Sequence, residues 1–309
     1  MNYSELPQFA VTVEAGPKVL HDGWVAAFYL APPHARYKTE MRRCIEAYLR
    51  FADSPDLRWA VDEDGDNVEL SDAQIAETLD TLTAPGIDSA GFHLRDVASG
   101  VSGYRIRYVG IEDTHPTFER FPDSTNVLFM SYPSERIAAS GVDALVAFHD
   151  ELVSSLPISS GYVAPAFVST SGGGEMAAFE KIRALSRRYR CLDIPYMSIE
   201  RYEIGRRAKG AYWLNYLGPE LVEKLGGLEA LRADLADPRI RLRSLARGIC
   251  AVQVDAGPLA GDVNRQEDVS AYRRLAQVLK PVRYEPTMEY PEFEMEDTLE
   301  WFARFDAAN

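Results

Sequence analysis

Asp62, Glu63, Asp64 and Asp66 crowd four carboxylates around Gly65. Such a run could hold calcium, but an EF-hand loop needs Gly at its sixth position and a bidentate acid at its twelfth. Counted from Asp62, those positions hold Asn67 and Ala73. The run reads instead as a solvated hairpin tip, because Asp-Gly is a favoured two-residue turn. It is also dense negative charge on a protruding loop, and loops on a rigid scaffold are common binding elements. Gly172-Gly173-Gly174 invites a phosphate-cradle reading. No Lys-Ser/Thr pair follows it, and Glu175 would repel an anion, so a flexible connection is the simpler reading.

The remaining candidates are weaker. His21, His34, His93, His115 and His149 are scattered, and none has a partner at zinc-site spacing. His149 falls on a predicted helix and reads as structural. Gly261 to Asp268 gathers Asp262, Arg265 and Glu267, but no nucleophile or base accompanies them. A loop stitched by Asp and Asn side chains, with Glu267 or Asp268 favouring the next helix N-terminus, accounts for it. Cys44, Cys191 and Cys250 are odd in number and far apart, which suits buried small residues rather than a disulfide framework. HExxH, GxSxG and Walker A motifs are missing. The expectation is therefore no catalytic residue, no metal and no cofactor, with an enzyme of unrecognised type as an alternative.

Charge narrows the partner. The net charge is −14 over 309 residues. Direct nucleic-acid binding is disfavoured, since neutralising phosphates needs a basic face. An acidic surface can instead attract a basic protein. Residues 1–124 carry 11 Lys and Arg against 21 Asp and Glu, a balance of −10. Residues 125–284 stand at +3, and residues 285–309 at −7. This divides the chain into an acidic N-terminal α/β sub-domain (1–124), a near-neutral α/β sub-domain (125–284) and an acidic, aromatic tail (285–309) docking on the body. Met1 to Glu5 begins without a basic, apolar leader, and no apolar run approaches the roughly 18–20 residues that span a bilayer. A cytoplasmic protein with no membrane partner is expected.

The elements that must position these residues follow from periodicity. WVAAFYL (24–30) predicts a buried strand stopped by Pro32-Pro33. Met41, Cys44, Ile45, Tyr48, Leu49 and Ala52 fall at helical spacing over 36–52. Residues 57–61 and 67–70 flank the Asp64-Gly65 turn, and Ser71 with Gln74 predicts a capping box over a helix at 72–82. Strands are predicted at 91–95, 103–109, 126–132, 162–168 and 210–217, and as a pair within 239–254. Helices are predicted at 141–156, 175–189 and 268–279. Gly218-Pro219 predicts a short helix ended by Gly226-Gly227, and the tail predicts a short helix carrying Trp301, Phe302 and Phe305. The order strand, connection, long helix, strand occurs twice, about 100 residues apart. Strict βαβα alternation is missing, so the expected class is α+β, with mixed or antiparallel sheets flanked by helices, two sub-domains and a candidate strand-helix-strand repeat.

Four motifs carry a family resemblance: Leu192-Asp193-Ile194-Pro195, KGAYWLNYLGPELVEKLGG from Lys209 to Gly227, QVDAGPLAGDVNRQEDVSAYRRLAQVLKPVR from Gln253 to Arg283, and TLEWFARF from Thr298 to Phe305. Together they resemble the type VI secretion immunity family, long catalogued as a domain of unknown function. In character the chain is similar to members that pair with a restriction-endonuclease-like toxin. The resemblance implies a protein that protects its own cell by binding a cognate effector, a basic nuclease, and it brings no catalytic residue with it. An adaptor or chaperone that loads the effector is the alternative of the same binding class. Immunity proteins must each fit one toxin, so shared motifs such as Gly261–Asp268 are expected to determine the fold. The specificity surface is expected in the acidic first part, centred on Asp62, Glu63, Asp64, Asp66 and Glu69. The segment from Glu112-Asp113 to Asp123 is the second choice.

Overall fold

Alternating large apolar residues along Trp24–Leu30 bury both faces of one strand, and the rest of the architecture is arranged around it. The computed structural model describes residues 6–14, 16–169, 176–291 and 293–306. The N-terminal half runs β1 (Ala10–Thr12), β2 (Lys18–Leu30), α1 (Lys38–Ala52), β3 (Trp59–Val61), β4 (Asn67–Glu69), α2 (Asp72–Thr81), β5 (Ser89–Arg95), β6 (Arg105–Ile111) and α3 (Thr117–Arg120). Then follow β7 (Asn126–Pro133), α4 (Ser134–Ser140), α5 (Val142–Ser155), β8 (Ile158–Ser169), α6 (Met176–Ser186) and α7 (Met197–Glu203). The chain ends with β9 (Leu214–Leu217), α8 (Pro219–Lys224), α9 (Gly227–Asp234), β10 (Ile240–Ser244), β11 (Cys250–Val254), α10 (Ser270–Leu279) and α11 (Met295–Phe302).

The strands form one sheet in the order β10-β11-β9-β8-β2-β7-β6-β5-β3-β4, with β1 on the start of β2. Neighbours along it are antiparallel. The architecture is α+β, an open antiparallel sheet flanked by helices. β2 is central, paired with β7 from Gly23 to Leu30 and with β8 from Leu20 to Leu30. The divide drawn from charge at 124/125 falls between β6 and β7, which are sheet neighbours. β2 with α1, and β7 with α5, put the two long helices on one face, where Phe51 and Phe148 stack at 4.3 Å.

Period-two alternation gives the sheet two cores. Trp24, Phe28, Leu128 and Met130 face α1, α5, α8, α9 and α10, whose Tyr48, Leu145, Leu221, Leu231 and Leu275 are buried against them. Val25, Ala27, Tyr29 and Phe167 face α6, α7 and α11, with Ile182, Met197, Trp301 and Phe302. The tail thus packs its aromatic residues, while its acids find cations. Asp297 pairs with Arg183 and Arg187, and Asp306 with Arg283.

Three sequence expectations change in detail. The strand predicted over 210–217 pairs only from Leu214, because the Asn215 side chain bonds the backbone N–H and carbonyl of Tyr212 and holds the preceding segment off the sheet. Gly226 and Gly227 do not simply end α8: both adopt left-handed backbone, and a second helix, α9, starts there. The short helix α7, absent from the expectations, carries the buried Glu200. The triple glycine lies outside the described residues.

Candidate functional site

The hairpin of β3 and β4 folds by local chemistry. Gly65 sits at φ +88°, where it meets nothing, as a left-handed turn position requires. One carboxylate oxygen of Asp62 accepts from the backbone N–H of Asp64 (3.1 Å) and of Asp66 (2.8 Å). Asp62 therefore builds the turn. Glu63, Asp64 and Asp66 project from it exposed, and no described residue pairs with their carboxylates. Glu69, opposite Trp59, lies 3.9 Å from Arg58.

In the second acidic segment, Glu112 accepts from the backbone N–H of Ala35 at 2.8 Å. Asp123 pairs with Arg207 at 2.7 Å, and its carbonyl accepts from Gly205. Asp113 is exposed. Thus Glu63, Asp64, Asp66 and Asp113 are open to a partner, whereas Asp62, Glu112 and Asp123 are engaged within the fold. No hydrogen bond or ion pair among the described residues joins the two segments.

Beside the hairpin lies a feature that sequence reasoning missed. On β5 and β6, His93, Arg95, Arg105 and Arg107 alternate with the core residues Phe92, Leu94, Ile106 and Tyr108. The register sets Arg95 directly across from Arg105, and His93 across from Arg107, with Ser131 and Phe129 of β7 next in each row. These side chains line a cavity of about 370 Å³, edged by Val61 and Asn67 at the base of the acidic tip. Among the described residues, no Asp or Glu lines it. Arg105 donates to Nε2 of His93 at 3.1 Å, so that nitrogen carries no proton. Burial, and then the three arginines, push the imidazole down to about 3. Burial also holds Arg107 and Arg95 below the usual guanidinium value. Arg95 bonds Asn67 but leaves its buried Nε without a partner, and Arg107 has neither hydrogen bond nor ion pair among the described residues. The i, i+2 spacing on two adjacent strands was the available signal.

A second charged cluster is closed. Lys209 Nζ lies 2.8 Å from Asp193 and 2.7 Å from Glu200, and all three side chains are at most 1% exposed. Tyr162 and Tyr212 donate to Asp193, and Tyr29 and Tyr290 to Glu200. Burial keeps all four phenols well above their ordinary value, hence protonated. Lysine, tyrosine and carboxylate can do acid–base chemistry, but here every member is satisfied by another and none meets solvent. The network ties β2, β8, α7 and the tail together. The Gly261–Asp268 loop is likewise internal. Asp262 holds Arg188 in a fork (3.0 and 2.8 Å), Glu267 accepts from the backbone N–H groups of Gly261 and Asp262, and Asp268 accepts from that of Ser270 at the start of α10. Cys44, Cys191 and Cys250 are buried free thiols, each pushed up by burial.

Among the described residues, no group of three His, Cys, Asp or Glu side chains is placed to hold a metal. No helix there is long and apolar enough to cross a membrane.

No curated protein matches the chain by sequence. Among solved structures, it is similar to the Pseudomonas aeruginosa T6SS protein PA0821, at a TM-score of 0.77 and 17% identity, covering 98% of this chain and 88% of that one. That likeness establishes a shared fold. A family model described as type VI immunity for VRR-NUC, TsiV, matches residues 40–305. With a match over that span, the chain belongs to the TsiV family of type VI immunity proteins.

Proposed function

We propose that the chain binds a cognate VRR-NUC nuclease toxin and neutralises it stoichiometrically, without catalysis, in the cytoplasm of the cell that makes both. The observation that carries this reading is the β3–β4 tip, where three carboxylates without partners among the described residues stand on a turn that Asp62 rigidifies. A nuclease must present basic groups to a phosphate backbone, and a fixed acidic projection competes for them. The charged cluster with the residue types of an active site is sealed, which favours binding over chemistry.

Titrating the purified chain into the nuclease, while following both heat and DNA cleavage, tests the reading. A saturable complex whose formation extinguishes cleavage is expected, and co-expression is expected to spare the host. Equal killing with and without the chain would overturn immunity. A complex that leaves cleavage intact would assign the chain to effector loading instead.

A further inference from the structure

We propose that β4 is an open sheet edge on which a basic, extended segment of the toxin pairs as an added strand. β4 and β10 stand at the two ends of the strand order. In the β3–β4 hairpin, the N–H of Asp62 donates to the carbonyl of Asp66 at 3.0 Å, and the N–H of Leu70 to that of Arg58 at 2.9 Å. Between them the register sets Ala60 across from Val68. Hydrogen-bonded and non-bonded pairs alternate along an antiparallel ladder. Asn67 and Glu69 therefore turn their backbone N–H and C=O groups outward, away from β3. None of these four groups has a hydrogen-bond partner among the described residues. A row of such groups is a template for a further strand. β3 in turn meets β5 at a single pair, Trp59 with Arg95, so most of the hairpin projects as a two-stranded ribbon. Such ribbons are marginal alone and gain from a third strand.

Charge decides which strand the edge accepts. Strand addition draws affinity from main-chain hydrogen bonds and specificity from alternate side chains. Glu69 lies on β4, with Asp66 just before it and Glu63 and Asp64 at the turn, all exposed. Like charges directly across a strand pair are destabilising. A second copy of β4 would set acid against acid, whereas a strand bearing Lys or Arg is favoured. β10 has the opposite preference, because Arg241 and Arg243 lie on it. A nuclease, which presents basic groups to phosphates, is matched to β4 rather than to β10. The carboxylates select the strand, and the backbone of Asn67 and Glu69 holds it.

This inference rests on toxin binding, and the experiment separates the two. Amide hydrogen exchange is followed residue by residue in the free chain and in its complex with the nuclease. In the free chain, Asn67 and Glu69 should exchange about 10-fold faster or more than Val68, whose N–H faces Ala60. In the complex both should slow by about 10-fold or more, as amides entering a ladder do. The nuclease is also titrated with Glu69→Pro, Glu69→Gln and Ser244→Pro. Glu69→Pro removes an outward donor and puts a ring in the added strand's place, while the hairpin's own bonds stay. It is expected to raise Kd about 10-fold or more. Glu69→Gln loses only the charge and should raise it less than about 5-fold. Ser244→Pro makes the same change on β10, where Leu245 donates to Ile249 and Ser244 turns outward. It should leave Kd within about 2-fold. Slow exchange of Asn67 and Glu69 in the free chain would mean that the edge is already covered, and would overturn the proposal. So would a complex in which neither amide slows, or an equal loss with Ser244→Pro, and in each case toxin binding stands. A wild-type chain that fails to bind the nuclease would overturn the functional reading itself.

Discussion

The molecule holds two concentrations of charge that differ in almost every physical respect. Around Lys209, two carboxylates and four phenols surround one cation, every group has a partner, and water is excluded. Around Arg107, three guanidiniums share a cavity that no Asp or Glu among the described residues lines, the buried Nε of Arg95 has no partner, and Arg107 has no hydrogen bond or ion pair among those residues. Burying ions is costly and is tolerated when geometry and hydrogen bonds compensate fully. The first cluster meets that condition within the chain and therefore belongs to the fold. The second leaves Arg95 Nε and Arg107 without such compensation among the described residues, and it lies around a cavity rather than inside the core. Completeness of internal pairing distinguishes the two clusters better than the sign or amount of charge does.

The comparison breaks most severely at Lys209. Lys209→Met leaves Asp193 and Glu200 facing each other without a cation. Removing one partner of a buried ion set costs about 3–5 kcal/mol. Urea unfolding of the variant should show that loss, and any failure to neutralise the toxin should be restored by conditions that restore folding. A stable Lys209→Met chain that still fails to bind would put the sealed cluster in the interface and collapse the distinction.

A sealed titratable group should also reveal itself through pH. His149 is fully buried, donates through Nδ1 to the carbonyl of Leu145 and accepts at Nε2 from the hydroxyl of Tyr132. Burial pushes its pKa down to about 4, against about 6.5 in an unfolded chain. Above pH 6.5 the ring is neutral in both states and its contribution is intact. As pH falls from 6.5 towards 4, the unfolded state takes up a proton that the folded state refuses, so stability declines by up to about 1.4 kcal/mol per pH unit. His149→Phe should be less stable than the wild type at pH 7, with the gap narrowing by pH 4.5. A gap that stays constant across denaturation curves at both pH values would contradict this.

The smallest expected effect on folding comes from the open side. Reversing Glu63, Asp64 and Asp66 to Lys alters exposed groups that have no partner among the described residues, so stability should move by less than about 0.5 kcal/mol. Stopped-flow association with the nuclease should slow about 10-fold at low salt, with the difference shrinking as salt rises. Unchanged association at low salt would remove the tip from the interface.

Sequence reasoning reached the elements whose signals are local. WVAAFYL on β2, the Ser71–Gln74 capping box and the Asp64-Gly65 turn each follow from neighbouring residues. The internal role of the Gly261–Asp268 loop was legible for the same reason: Asp262, Glu267 and Asp268 bond backbone within a few positions. The arginine pocket was not read, although His93, Arg95, Arg105 and Arg107 alternate visibly. Their convergence depends on the β5–β6 register, and the balance of −10 over residues 1–124 averages a cationic cluster out of sight. Asp123 and Glu112 looked available because their partners, Arg207 and the Ala35 backbone, are distant in sequence. Glu200 escaped because α7 is too short for its periodicity to stand out.

The pairing of β2 has a consequence in time. Its residues 18–30 must wait for 126–133 on one side and 158–169 on the other. Contacts of such separation slow folding, since loop closure precedes the stabilisation it permits. At synthesis rates of about 5–20 residues per second, the stretch from residue 30 to 169 takes on the order of ten seconds to emerge. Until residues 126–133 have emerged, the apolar stretch Trp24–Leu30 of β2 has neither of these neighbours. The early chain, with this apolar strand still unpaired, is the stage most exposed to aggregation.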